Sequence, residues 1–284
     1  ELIVLLGLYA AATFRIMPSL NRVIVSYNSI KQTKIIINKI YKDFILEKDS
    51  YEIDKNSQNF KIENINIIEI NNLSFKFASQ KDFLIKDLSI KINNSEYIGI
   101  FGKSGTGKTT FVDLFSGLLP PVSGNIKINS YEISKSLTQW KSLISYVPQK
   151  IYLNHATIKE NIMFGNIYNS EKMNKCIQDA QLFNFINSLP DKLETLVGEN
   201  GVNLSGGQIQ RLGIARALYR DAKILIFDES TSSLDTETEN EFMETVNKIK
   251  KDRIIIFISH KTSLLKKCDK VYELKDKKLV SIDI

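Results

Sequence analysis

One segment of the sequence, Gly102 to Thr109, has residue types at a spacing that suits phosphate chemistry. It reads GKSGTGKT and matches the pattern G-x-x-x-x-G-K-[ST] of a phosphate-binding loop. Its glycines let the backbone wrap around a polyphosphate with the N–H groups pointing inward. In this pattern Lys108 reaches the β- and γ-phosphates, and the Thr109 hydroxyl binds Mg²⁺. The sequence therefore predicts a nucleotide site whose phosphate contacts come from Gly102, Lys103, Ser104, Gly105, Thr106, Gly107, Lys108, Thr109 and Thr110.

A second segment, Ile224 to Glu229, places two carboxylates at the end of an apolar run. It reads ILIFDE, which predicts a buried parallel strand followed by Asp228 and Glu229. Ligands of such sheets bind beyond the carboxyl ends of the strands, so both acids should reach the nucleotide. Adjacent residues on a strand face opposite ways, which suits two different roles. We expect Asp228 to hold Mg²⁺, directly or through water, and Glu229 to polarise the attacking water.

The elements that position these residues alternate along the chain. Short apolar or alternating runs predict strands, and a helix predicted over Lys108 to Leu118 directs its positive end at the phosphates. Helical periodicity follows from Ile158 to about Leu189 and from Ser205 to Arg220. This order predicts an α/β fold in which a parallel sheet carries a helical insertion. The predicted strands are 65–70, 73–77, 84–92, 97–101, 124–128, 143–147, 224–227 and 254–258.

The segment LSGGQIQR, Leu204 to Arg211, predicts a second helix N-terminus with a bare backbone. Ser205, Gly206 and Gly207 would form another anion site there. One ATP does not need two γ-phosphate sites on one chain. The simplest interpretation is that this second site contacts the nucleotide of a second subunit.

With LSGGQ placed just before the strand that carries Asp228, the sequence closely resembles the ATP-binding cassette (ABC) proteins over nearly all of residues 62 to 280. The resemblance implies ATP as the nucleotide and a head-to-tail dimer. In that dimer Ser205, Gly206, Gly207 and Gln208 of one chain face the phosphate loop of the other. It also implies a P-loop NTPase of ABC type, with a RecA-like parallel sheet core, an antiparallel β subdomain, an inserted helical subdomain and a preceding N-terminal helix.

Further roles are carried over motif by motif from the same resemblance. Phe77 in LSFKF stands where the family has an adenine-stacking aromatic, usually a tyrosine; the alternative is a core phenylalanine. Gln149 in SYVPQ matches a glutamine that senses Mg²⁺ and water, and His260 in FISHK matches a histidine that contacts the γ-phosphate. Asp235 in SSLD matches the loop that links the two sites across the dimer. Glu199 in GENGVNLSGGQ matches an exporter loop that touches the membrane domain, although Asn200 replaces a common arginine.

The N-terminal residues differ from the globular pattern. Leu2 to Phe14 is nearly all apolar and too short alone to cross a bilayer, and it is followed by basic residues with no acid until Asp43. We interpret residues 1–48 as the end of a last transmembrane helix and its cytoplasmic extension, 49–62 as a linker and 63–284 as the ABC domain, with the helical subdomain at about 151–220. The alternative is an amphipathic helix packed on the globular domain.

These features favour an exporter in the inner (plasma) membrane with its ATP-binding domain on the cytoplasmic side. TIKENIMFG, Thr157 to Gly165, resembles an exporter stretch, and Ala11 to Val23 resembles the membrane-exit segment of flippases for lipid-linked oligosaccharides. The expected partners are a second copy of the chain, an upstream membrane domain and a lipid-linked substrate. Lipid A, peptide or drug export remains open, as does a soluble ABC ATPase in DNA repair, translation or import.

Composition excludes few classes. The 284 residues carry a formal net charge of +6, but the lysines are scattered and form no basic, aromatic-interleaved stripe, so we expect no nucleic-acid partner. Cys176 and Cys268 have no metal or redox spacing and are predicted to be reduced thiols. His155 lies in no motif and is interpreted as a surface residue.

Overall fold

The computed structural model describes residues 2–55, 62, 64–103, 105–198, 204–231, 236–250 and 253–283. Contacts between residues divide the chain into two compact units, Glu1–Ser57 and Gln58–Ile284. Each unit is described by itself.

The first unit is one long helix, α1 (Leu2–Lys55), which continues through Pro18. Its segment Leu2–Lys42 is long and apolar enough to cross a membrane, by length and composition, and its large apolar side chains are exposed. The helix continues past residue 48 into the predicted linker because no glycine or proline interrupts it there. Residues 56–61 of that predicted linker lie outside the described part of the chain.

The second unit alternates strands and helices. Its strands are β1 (Ile67–Phe75), β2 (Ile85–Asn93), β3 (Tyr97–Phe101), β4 (Ser123–Ile128), β5 (Tyr131–Glu132), β6 (Ile144–Val147), β7 (Ala156–Thr157), β8 (Leu196–Val197), β9 (Ile224–Asp228), β10 (Ile254–Ile258), β11 (Lys270–Lys275) and β12 (Lys278–Ile282). Its α-helices are α2 (Lys108–Phe115), α3 (Leu137–Ser142), α4 (Ile158–Met163), α5 (Ser170–Asp179), α6 (Phe183–Ser188), α7 (Gly206–Arg220), α8 (Thr236–Ile249) and α9 (Thr262–Leu265).

Two main sheets carry the fold. One has the order β2-β1-β4-β5 and is antiparallel, and the other has the order β12-β11-β3-β10-β9-β6. In the second sheet β11, β3, β10, β9 and β6 pair in parallel, and β12 pairs antiparallel with β11. The fold class expected from the sequence, a parallel core with an antiparallel β subdomain and inserted helices, is therefore confirmed.

The parallel sheet is buried on both faces. Its central strands β3, β9 and β10 carry apolar side chains on both faces, and polar residues follow only at their carboxyl ends. Ile224, Ile226 and Ile256 belong to a core shared with the antiparallel sheet and α2, whereas Phe227 and Phe257 belong to a second core that includes Phe242 of α8 and the inserted helices. The strand ends are thus held rigidly from both sides, as a site at their carboxyl edge requires.

Inserted helices α4 to α7 fall within the range 151–220 predicted for the helical subdomain. Arg216 of α7 joins this region to the segment after β6. Its guanidinium donates to the backbone carbonyls of Asn161 (2.9 Å) and Tyr152 (3.1 Å) and lies 4.4 Å from the Phe164 ring centroid.

In the second unit, most predicted strands agree with the structure to within one residue, but one pair of strands and one helix end differ by more. The strands expected at 65–70 and 73–77 form the single strand β1, with a register shift beside Asn72, whose φ is +47°. Helix α2 ends at Phe115 and not at Leu118. Gly117 adopts a left-handed φ of +69° and donates to Leu114, while the N–H of Leu118 donates to Asp113, which closes the helix in a Schellman motif.

Candidate nucleotide site

The phosphate loop joins β3 to α2 through two glycines that adopt left-handed backbone conformations. Gly105 has φ +80° and Gly107, the N-cap residue of α2, has φ +103°. A β-carbon on Gly107 would lie 3.3 Å from the Leu84 side chain. The phosphate loop can therefore take the predicted shape only because glycine occupies these two positions, since other residues rarely adopt such backbone conformations.

Two side chains of this loop contact its own backbone. Lys108 Nζ donates to the carbonyl oxygens of Gly102 (2.8 Å) and Lys103 (3.0 Å). Thr106 Oγ1 donates to the Lys103 carbonyl at 2.9 Å. The ammonium group is thus held over the loop, where a bound phosphate would compete with the two carbonyls for it.

Asp228 ends β9 as a buried carboxylate with one side-chain donor. It is 7% exposed, and its Oδ2 accepts a hydrogen bond from the Tyr146 hydroxyl at 2.9 Å. Burial and the negative charge of Glu229 raise the pKa of Asp228, against the lowering effects of Tyr146 and Lys108. Burial and the charge of Asp228 likewise raise the pKa of Tyr146, so its hydroxyl stays protonated and donates.

Glu229 follows in a left-handed conformation, with φ +46°. Its N–H donates to the Ile258 carbonyl at 2.9 Å, which ties it to the end of the neighbouring strand. Its Oε2 accepts from Gln149 Nε2 at 2.8 Å, and its Oε1 lies 3.6 Å from His260 Nδ1. A strained backbone at a carboxylate that contacts two polar side chains is the kind of outlier found at functional sites.

His260 is positioned by the residue before it. The N–H of Ser259 donates to the Ile100 carbonyl at 3.2 Å, and its Oγ accepts from the N–H of Lys261 at 3.0 Å. This tight turn leaves the His260 side chain 59% exposed at the carboxyl end of β10. His260 is thus free to contact a ligand while it remains near Glu229.

A cleft of about 610 Å³ brings these residues together at the carboxyl edge of the parallel sheet. Its volume is within the ordinary range for small-molecule sites. Most of the predicted site residues line it. The lining is Leu84, Phe101, Gly102, Lys103, Gly105, Gly107, Lys108, Thr109, Thr110, Gln149, Asp228, Glu229 and His260.

The donor set of this cleft fits Mg²⁺. The Thr109 hydroxyl, the Asp228 carboxylate and the Gln149 side-chain carbonyl are hard oxygen ligands, which Mg²⁺ prefers. Gln149 gives its amide nitrogen to Glu229, so its carbonyl oxygen remains for the ion. No cluster of three His, Cys, Asp or Glu occurs in the described parts of the chain. The arrangement therefore suits an ion bound mainly through water and phosphate oxygens.

Some predicted residues lie elsewhere. Over the described residues, the cleft lining includes neither Phe77 nor the start of α7. The Phe77 ring is 39% exposed and packs edge-on against Phe75, with centroids 5.0 Å apart. Ser205 caps α7, since its Oγ accepts from the N–H of Gln208 at 3.2 Å and its own N–H donates to Gln208 Oε1 at 2.9 Å. The start of α7 is thus closed by its own capping box and does not line the chain's own cleft, and the roles of Phe77 and of this helix start stay predictions.

Ser104, Asp235 and Glu199 lie outside the described residues. Three further residues at the site, Leu84, Phe101 and Tyr146, were not predicted as site residues from the sequence. Leu84 lines the cleft through long-range packing, which no local motif signals. Tyr146 lies within SYVPQ, but its contact with Asp228 depends on the pairing of β6 with β9, which no local motif signals.

The fold and the cleft together define a P-loop nucleotide-binding domain. Residues 85–232 match the family model described as ABC transporter, and the chain belongs to this family. The chain is 40% identical over 217 residues to a Rickettsia typhi protein named as a putative export ATP-binding/permease protein, a match that covers 75% of this chain and 38% of that protein. It is 35% identical over 216 residues to an ATP-dependent lipid A-core flippase of Burkholderia pseudomallei, covering 75% and 36%.

Among solved structures, the chain resembles a bacterial Atm1-family ABC exporter with ATP bound. The TM-score is 0.75 at 30% identity, over 79% of this chain and 40% of the other. The chain thus spans about two fifths or less of the length of these relatives.

Proposed function

We propose that this chain is the ATP-hydrolysing domain of a membrane exporter. The observation that carries the proposal is the position of Glu229, which contacts Gln149 and lies near His260 at the edge of the cleft lined by the phosphate loop. A carboxylate placed there has the reach of a general base for a water that attacks a terminal phosphate.

In this proposal the chain acts mainly by positioning and electrostatics. The loop N–H groups and Lys108 bind the triphosphate, and His260 donates a hydrogen bond to the γ-phosphate. Glu229 orients the attacking water and accepts its proton, while Gln149 holds the Glu229 carboxylate. Thr109, Asp228 and Gln149 would hold Mg²⁺, which would supply charge compensation for the phosphates.

We infer a second copy of the chain as the partner that completes the site. Two features support this inference. The start of α7 has the bare glycine backbone and positive end of an anion site, yet it does not line the chain's own cleft. Ser205 of the partner subunit would then contact the γ-phosphate, and Asp235 would lie in the loop between the two sites.

Export is supported by the membrane-length segment Leu2–Lys42 and by the names of the relatives, which are longer proteins. The stretch TIKENIMFG begins with a complete capping box, in which Thr157 and Glu160 hydrogen-bond to each other's backbone N–H. The proposed location is the inner membrane, with the nucleotide domain on the cytoplasmic side and a membrane domain upstream.

For the cargo we propose a glycolipid, with a lipid-linked oligosaccharide as first candidate because of the resemblance at Ala11 to Val23. The relative named as a lipid A-core flippase favours lipid A as the second candidate. Both are amphipathic lipids with a large sugar headgroup, so the proposal commits to that chemical class.

The test places the full-length exporter in liposomes with a fluorescent polyprenyl-diphosphate oligosaccharide or with lipid A. ATP-dependent movement between leaflets that Glu229→Gln abolishes is the expected result. Robust ATPase activity with neither lipid moved would contradict the cargo. Hydrolysis by a chain that neither associates with membranes nor fuses to a membrane domain would instead support a soluble ABC ATPase.

A further inference from the structure

Strand β6 and the turn after it supply one hydrogen bond to each carboxylate at the end of β9. Tyr146 donates to Asp228 at 2.9 Å, and Gln149 donates to Glu229 at 2.8 Å. Only Gln149 has a role predicted from the sequence. Tyr146, like Gln149, supports a carboxylate of the site, but the proposed function gives it no role.

We propose that the Tyr146 hydroxyl positions the Asp228 carboxylate for Mg²⁺ and thereby sets the affinity of the nucleotide site for divalent cations. This inference rests on the proposed function, since it assigns Asp228 to the metal. Tyr146 touches neither nucleotide nor metal in this account and is a positioning residue.

The geometry favours this role over simple packing. Tyr146 pairs with Ile226 in the parallel register of β6 and β9, so its side chain reaches the carboxylate two residues further along β9. The hydroxyl engages Oδ2 and leaves Oδ1 for the ion or its water. The Tyr146 residue is partly exposed and belongs to neither of the two hydrophobic cores.

The electrostatics point the same way. Asp228 is 7% exposed and lies beside Glu229, and an isolated carboxylate there would be costly to keep charged and fixed. A hydrogen-bond donor stabilises its charged form in one orientation. Partners that orient metal ligands in this way typically account for about 10–100-fold in metal affinity or activity.

The test measures Mn²⁺ binding by electron paramagnetic resonance, in the presence of a non-hydrolysable ATP analogue. The proteins compared are wild type, Tyr146→Phe and the control Tyr168→Phe, which removes the hydroxyl of a half-exposed tyrosine outside the cleft. We expect Tyr146→Phe to weaken Mn²⁺ binding about tenfold or more. The affinity for the analogue in EDTA should stay unchanged, and Tyr168→Phe should behave as wild type in both assays.

A second variant, Tyr146→Met, fills similar space without a donor and should give the same loss of Mn²⁺ affinity. Wild-type Mn²⁺ affinity in Tyr146→Phe would overturn the inference. So would an equal loss of analogue affinity in EDTA, because that result indicates general damage to the site. Absence of ATPase activity in wild type would contradict the proposed function instead, and the Mn²⁺ titration would still decide the role of Tyr146.

Discussion

Gly124, at the start of β4, lies so close to the backbone of β1 that it leaves no room for a β-carbon. It has φ +84°, and a β-carbon there would lie 2.4 Å from the Asn72 carbonyl oxygen and 2.5 Å from that of Asn71. An ordinary carbon–oxygen contact is about 3.3 Å, so these carbonyls would have to move by about 0.8–0.9 Å. They belong to β1, which pairs with β4 at Asn71 and Asn125, so Gly124→Ala should strain the pairing of the antiparallel sheet.

Gly165 provides the matched control, since it has φ +86° and a β-carbon added there would meet nothing within 4 Å. For Gly165→Ala the left-handed conformation costs about 1–2 kcal/mol, partly offset by the loss of unfolded-state entropy, about 0.4–1 kcal/mol. Gly124→Ala carries the same cost and about 1–3 kcal/mol of steric overlap besides. For a domain of this size we expect Tm to fall by about 2–4 °C in Gly165→Ala and about 6–12 °C in Gly124→Ala.

The assay is thermal unfolding followed by the fluorescence of Trp140, the single tryptophan of the chain. Trp140 is fully buried against Phe115, and its Nε1 donates to the Phe115 carbonyl at 2.7 Å, so unfolding should shift its emission to the red. Equal falls in Tm for the two variants would show that the close backbone contact at Gly124 contributes nothing to the cost of an added β-carbon.

Other predictions concern single residues of the same unit. Lys277→Gly should raise Tm by about 2–3 °C, because Lys277 has a left-handed φ of +69° in the tight turn between β11 and β12; an unchanged or lower Tm would count against this. Arg216→Lys should lower the free energy of unfolding in urea by about 1.5–3 kcal/mol, since lysine lacks the planar fork that reaches two carbonyls at once. Burial raises the pKa of Glu96, but hydrogen bonds from Lys270 and Asn93 outweigh it and lower the pKa below 4.5. Ionised Glu96 therefore stabilises the fold fully above about pH 4.5, and this stability is lost as the pH falls through the lower pKa that Glu96 has in the folded state. The free energy of unfolding of Glu96→Gln should consequently depend less steeply on pH below pH 4.5 than that of the wild type.

Sequence alone was most informative where a short segment determines its own geometry. The phosphate loop needs glycine at positions of positive φ next to a helix start, and the Ile224–Asp228 strand is apolar on both faces, so both could be recognised locally. Ser205 and Gln208 at the start of α7 also form a local capping box.

The remainder depends on contacts between distant segments. The hydrogen bond from Tyr146 to Asp228 exists only because β6 pairs with β9, and no spacing in the sequence encodes that pairing. The sequence predicted two strands where the structure has the single strand β1. Asparagine is common both in loops and at positions of positive φ inside a strand, so Asn72 alone could not distinguish a bulge from a loop.

The proposed role of Glu229, the activation of water for ATP hydrolysis, is tested most directly by the steady-state ATPase rate of Glu229→Gln. The control is Glu244→Gln, which changes an exposed carboxylate on α8 outside the cleft. We expect Glu229→Gln to lose about 10²-fold or more of its hydrolysis rate while it still binds ATP and accumulates an ATP-bound dimer, with Glu244→Gln unchanged. Hydrolysis by Glu229→Gln at a rate near that of wild type would contradict the account.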